Sequence, residues 1–179
     1  MIHDIRDHPD APSIEELREF TLVPVAREEI VDRRADGEEL SEVNVREARD
    51  DVHVELEPDP TDRGSHDDIG TALYRLVQLF GTPNVPDYDA GSDLSEREDT
   101  TFKYLLRVVN ESEEENRSLP DEWLVTVYDY HVELGVGLAG WSDGTDPAEY
   151  DGGVQIVSLA LVTNVVGEPL QCVYKDKWY

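Results

Sequence analysis

Residues 123–134 read WLVTVYDYHVEL, and Asp129, His131 and Glu133 occupy every second position. On an extended strand, alternate side chains share a face. Two carboxylates and an imidazole on one face can ligate a metal, or divide acid and base roles between them. The same residues also have a reading without chemistry. In FKYLLRVV, 102–109, Lys103 and Arg107 carry charge at a matching spacing. An antiparallel hairpin can oppose Lys103 to Glu133, Leu105 to His131 and Arg107 to Asp129. Tyr104, Leu106 and Val108 then meet Val132, Tyr130 and Tyr128 on an apolar, aromatic face. Charge pairing in that register is the expectation. Metal binding or acid–base catalysis through Asp129, His131 and Glu133 is the alternative.

Other candidates are weaker. DYDAGSDLSERE, 87–98, places Asp87, Asp89, Asp93 and Glu98 at the spacing of a calcium loop. Ser92 stands where that loop requires glycine, and a strand follows where a helix belongs, so an acidic surface loop is the simpler reading. His66-Asp67-Asp68 suits a helix start, where acidic groups face the positive end of the dipole. His3, His8 and His53 lack zinc-type spacing. Cys172 is the sole cysteine, so no internal disulfide forms; it reads as a small hydrophobe in an edge strand. No phosphate loop, nucleophile elbow or dinucleotide fingerprint occurs, and no cofactor is expected. Gly135, Gly137 and Gly140 in VELGVGLAGW mark a bulge or a close backbone contact.

The charge sets these sites in context. The chain of 179 residues has 42 acidic and 15 basic residues, a net charge of -27. The excess is even: 22 acidic and 8 basic residues fall in 1–70, and 20 and 7 in 71–179. Disorder, mimicry of nucleic acid and adaptation to molar salt all fit such a charge. Only Lys103, Lys175 and Lys177 are lysines, against twelve arginines. An acidic chain with lysine thinned out resembles the cytosolic proteins of salt-in haloarchaea. Their solvent screens charge beyond roughly 3 Å. No basic stripe suits direct nucleic-acid binding. No apolar run is long enough to span a bilayer, and MIHDIRDHPDAP lacks the regions of a signal peptide.

The elements follow from pattern. Ser13 with Glu16 makes a capping box for a helix over 13–20. Pro24 demotes TLVPVA, 21–26, to an edge strand or connector. Residues 27–50 read as a surface helix or a loose arm, and DVHVELEP, 51–58, as a half-buried strand. Ser65 caps a helix running to Phe80, closed by Gly81 and Pro83. Strands cover 102–109 and 123–134. Residues 154–166 have strand-like composition but a helix-like length and ending, and a helix is expected. QCVYKDKWY reads as a closing strand, expected at a sheet edge. The expected fold is α+β: a compact domain, 65–179, with two helices on one face of a small antiparallel sheet. A charged N-terminal arm, 1–64, adds a short helix and a strand.

The order helix, LFGTPN, acidic loop, TFKYLL, loop, WLVTVYDYH, loop, helix, VGEP in 68–168 resembles small uncharacterised proteins of phages and other mobile elements. In those the tyrosine–aspartate motif often ends in lysine, where His131 stands here. Their Trp-Ile-Gly-Gly segment is replaced by Gly140-Trp141 and Gly152-Gly153. The resemblance implies a context and brings no catalytic residue. The expected function is a halophilic, non-catalytic interaction protein with a protein partner. It would bind a host factor or assemble into a particle, in the cytoplasm of a haloarchaeal cell or in a virion. A small enzyme working through Asp129, His131 and Glu133, and a DNA-mimic inhibitor, are the alternatives.

Overall fold

The computed structural model describes residues 2–44, 53–57, 66–86, 102–111, 119–130, 133–150, 152–166 and 171–175. Eight strands form in chain order: β1 (Ile2–Asp4), β2 (Phe20–Pro24), β3 (Leu40–Asn44), β4 (His53–Glu57), β5 (Lys103–Asn110), β6 (Glu122–Tyr130), β7 (Glu133–Trp141) and β8 (Gln171–Lys175). The helices are α1 (Ile14–Leu17), α2 (Arg27–Ala35), α3 (His66–Phe80) and α4 (Gly152–Val166). β2-β5-β6-β7-β3 make a five-stranded antiparallel sheet, and β1-β8-β4 a three-stranded one. The class is α+β. No helix among the described residues is long and apolar enough to cross a membrane.

The hairpin register differs from the one that charge pairing suggests. β5 pairs with β6 so that Lys103 faces Tyr128, Leu105 faces Thr126 and Arg107 faces Leu124. WLVTVYDYHVEL is not one strand: β6 ends at Tyr130 and β7 starts at Glu133, and these two residues oppose each other. The offset between expected and observed registers is odd, so it exchanges the two faces of β6. Tyr104, Leu106 and Val108 now share a face with Val127, Val125 and Trp123, all at most 2% exposed. In the expected register those three β6 residues would have stood beside Lys103 and Arg107. Burying a large apolar side chain is worth about 1.5–3 kcal/mol, and a cross-strand charge pair only about 0.2–1 kcal/mol. Core burial therefore sets the register.

That inner face is covered by α4 and α3, the two helices expected there. From Val154 to Thr163 every side chain of α4 is buried. A helix apolar all round has no polar stripe, which explains why periodicity could not separate helix from strand over 154–166. Two of its buried hydroxyls bond within the helix. Ser158 Oγ donates to Val154 O at 2.7 Å and accepts the Trp123 indole N–H at 2.8 Å. Thr163 Oγ1 donates to Leu159 O at 2.7 Å. Ile5 joins the same core from a 3-10 turn at Ile5–Asp7. From α3, Leu76 is buried, and Leu73 and Phe80 pack at the margin.

The N-terminal segment contributes more strands than the expected arm. The capping box forms at Ser13 and Glu16, but α1 stops at Leu17 and Phe20 already begins β2. β2 is an edge strand, as Pro24 requires. α2 buries Ile30 against the outer face of the sheet, beside Val25, Leu105, Ala139 and Trp141. β3 closes the other edge. Residues 20–44 thus supply both edges of a sheet whose centre lies beyond residue 100. β8 is the middle strand of its sheet, where an edge position had been expected.

Candidate functional site

The turn from β6 to β7 separates the residues that looked like a triplet. Asp129 belongs to β6 and Glu133 to the next strand. His131, and the side chain of Glu133, lie outside the described residues. Asp129 is only 3% exposed, and its Oδ1 accepts the backbone N–H of Phe102 at 3.0 Å. It ties the start of β5 to the end of β6, and Arg107 is not its partner. Asp129→Ala is expected to destabilise the protein by about 1–3 kcal/mol by stranding a buried donor, read from denaturant unfolding. A variant as stable as the parent would remove this role. The calcium-spaced residues Asp87, Asp89, Asp93 and Glu98 lie outside the described residues, as do the side chains of His66 and Cys172. Among the described residues no three metal-ligating groups cluster.

The LFGTPN and TFKYLL stretches meet in one knot of structure. Gly81 takes φ +80°, the left-handed conformation that ends α3, and its N–H bonds Val77 O at 2.8 Å. The Tyr104 hydroxyl donates to Gly81 O at 2.7 Å. Burial pushes the Tyr104 phenol up to about 12, so it remains a donor at neutral pH. Phe80 and Phe102 both pack their rings on Tyr104, with centroids 6.2 Å away. Asn84 is buried, and its amide donates to Val25 O and Leu105 O and accepts from Leu105 N, each at 2.7 Å. It continues the β-ladder where Pro24 ends β2. Sequence reading left Asn84 unremarked, because an asparagine after proline looks like a turn residue.

The outer face is concave. Lys103 Nζ bonds Glu42 Oε2 at 2.7 Å, reaching from the second to the fifth strand of the sheet. Lys103 is level with Gly135 of β7 and Glu42 with Ala139. In a flat sheet that is three strand spacings across and four residues along, roughly 19 Å between backbones. This exceeds the combined reach of the two side chains, so the sheet coils and brings its corners together. β7 allows the coiling. A Cβ on Gly135 would lie 2.5 Å from the Tyr128 ring, and one on Gly137 2.6 Å from Thr126 Oγ1. The glycines therefore mark close contacts, as their spacing suggested. Thr126 Oγ1 and Gln155 Oε1 are buried without a partner among the described residues.

At the other end of β6 and β7 a hollow of about 170 Å³ opens on this face. Leu124 in its floor stands five residues from Asp129 along β6, roughly 17 Å. Ala139, Trp141 and Tyr150 complete the apolar wall, and Arg33 of α2 and Arg107 of β5 line the rim. Arg33 stacks 5.3 Å over the Trp141 ring. Glu29 lies between the two guanidiniums, 3.4 Å from Arg107 Nη2 and 3.9 Å from Arg33 Nε. Arg33 also meets Glu38 at 3.3 Å and Asp143 at 3.4 Å, and Arg107 meets Glu122 at 3.9 Å. All are longer than the roughly 2.7–2.9 Å of a well-formed charge-assisted bond. A hydrogen bond shared with Asp143 raises the Glu38 pKa above its ordinary value, in spite of Arg33. Sequence reading missed the hollow, since Arg33 and Trp141 are 108 positions apart and only the β3–β7 pairing unites their neighbourhoods. The chain matches no protein family, no curated protein and no solved structure.

Proposed function

We propose that this chain is a salt-adapted, non-catalytic protein that works by binding another protein. Its setting is a haloarchaeal cell, or a virus or mobile element of one, where it binds a host factor or joins a particle. One observation carries the reading. Among the described residues, three polar side chains of its most distinctive motifs, Asn84, Tyr104 and Asp129, are each engaged with backbone groups of the fold. None is left at the hollow, where a substrate would have to meet it. Exposed carboxylates also lie on opposite sides of the sheet. Asp7 ends the turn that packs on α4 and Asp10 follows it, while Glu28, Asp32 and Asp36 lie along and just after α2 on the outer face. Distribution all round suits molar salt; two rows at phosphate-like spacing would suit a DNA mimic.

Two measurements test this. The melting temperature is expected to rise by several degrees between about 0.1 and 3 M KCl, because screening removes self-repulsion. Each ~1 kcal/mol gained adds about 2–4 °C for a chain of this size. A higher melting point in dilute buffer would end the salt claim. Cross-linking at molar salt, followed by reconstitution with the purified partner, tests the interaction. Turnover of a small molecule by the pure protein would overturn it.

A further inference from the structure

We infer that α3 is a self-association surface: it packs antiparallel on α3 of a second copy of this chain, with Tyr74 of each copy against Val77 of the other. The inference goes beyond the proposed function and needs neither its salt claim nor a host partner. Of the six large apolar side chains exposed among the described residues, three, Tyr74, Val77 and Leu79, lie on this one helix. Single exposed apolar residues are ordinary. The charge around these is not. Residues 69–86 form the longest stretch of the chain without an aspartate or glutamate. The next longest, 152–167, spans α4, and burial from Val154 to Thr163 accounts for it. Burial does not account for α3, whose positions 74, 75, 77, 78 and 79 are all exposed. On α2, by contrast, exposed Val31 stands beside exposed Asp32 and one turn from exposed Glu28.

The pattern along the helix selects the occupant. Gly70, Tyr74 and Val77, with Gly81 just past the helix end, follow at spacings of four, three and four residues. That spacing keeps them on one stripe of an α-helix, and it reads the same from either end. In an antiparallel pair about a two-fold axis midway between Tyr74 and Val77, each tyrosine meets a valine and each Gly70 meets a Gly81. Bulk fills the middle and glycine the ends, so the helices approach along the whole stripe, roughly 16 Å. A Cβ added to Gly81 would meet nothing within 4 Å, so that end of the stripe is open. Leu79 lies about 160° around the helix from Val77, off the stripe. Charge favours the same contact. Two copies of net charge -27 repel, and they approach most readily where neither presents a carboxylate. α3 meets that condition on both sides of the contact at once.

The test is sedimentation equilibrium of the full chain, diluted from about 1 mM to about 1 μM in about 0.3 M and about 2 M KCl. The parent is expected to form a reversible dimer, to stop at two copies, and to associate more tightly in the higher salt, where repulsion is screened. Val77→Glu and Tyr74→Glu should each weaken the dimer at least about tenfold, since each substitution enters the contact twice. Tyr74 is the more exposed of the two, so its variant covers a failure of Val77→Glu to fold. Leu79→Glu, off the stripe, should dimerise like the parent. A parent that stays monomeric to about 1 mM, association that runs past two copies, weaker association in the higher salt, an equal loss in Leu79→Glu, or no loss in either stripe variant would each overturn the assignment. A monomeric parent that still cross-links to a different protein would leave the protein-binding reading intact and sink this contact alone.

Discussion

Asn84→Ala is expected to lower stability by about 2–5 kcal/mol, a large share of the roughly 5–15 kcal/mol that holds a domain folded. The Asn84 amide serves three backbone groups at 2.7 Å in a position only 6% exposed. Leu105 O keeps a second donor, Val25 N, at 3.0 Å. Leu105 N and Val25 O would be left without their Asn84 bonds. Each buried group stranded in this way costs about 1–3 kcal/mol. Asn84→Asp should not rescue, because a carboxylate offers no donor to the two carbonyls and adds a buried charge. Denaturant unfolding at one fixed molar salt concentration measures both variants. A loss under about 1 kcal/mol for Asn84→Ala would mean that the segment after α3 is not pinned to β5 through this side chain.

Leu159→Ala is expected to cost about 2–5 kcal/mol. Leu159 is 1% exposed, in a helix packed between the five-stranded sheet and the Ile5 turn. Surrounding strands hold the space open, so the cavity cannot close around the smaller residue. Asn164, exposed on the same helix, supplies the control: Asn164→Ala should stay within about 0.5 kcal/mol. The two variants read out the burial of α4 directly. Comparable small effects at both would mean that α4 is a surface helix with one face in the core.

Much of the fold is legible in the sequence. The capping box at Ser13, the helix ending at Gly81, the edge strand at Pro24 and the crowding around the β7 glycines follow from local rules, and each is found. Short-range geometry fixes such features, because cap, turn and close-contact residues act within a few positions. Two helices on one face of an antiparallel sheet was legible for the same reason.

The choice between registers was not local. Alternation in β5 and β6 was visible, but two pairings satisfied it. One joined Lys103 and Arg107 to carboxylates, and the other joined Tyr104, Leu106 and Val108 to Trp123, Val125 and Val127. Deciding between them needs the helices that bury the inner face, and these lie far along the chain. The hollow depends on the same assembly. Arg33, Arg107 and Trp141 come from three distant segments, and their convergence exists only once β2 and β3 close the sheet edges. Sequence alone determined that the chain is acidic, α+β and locally well signposted. Tertiary packing decided which carboxylates are structural, because apolar burial outweighs surface charge pairing and carries Asp129 inside with it.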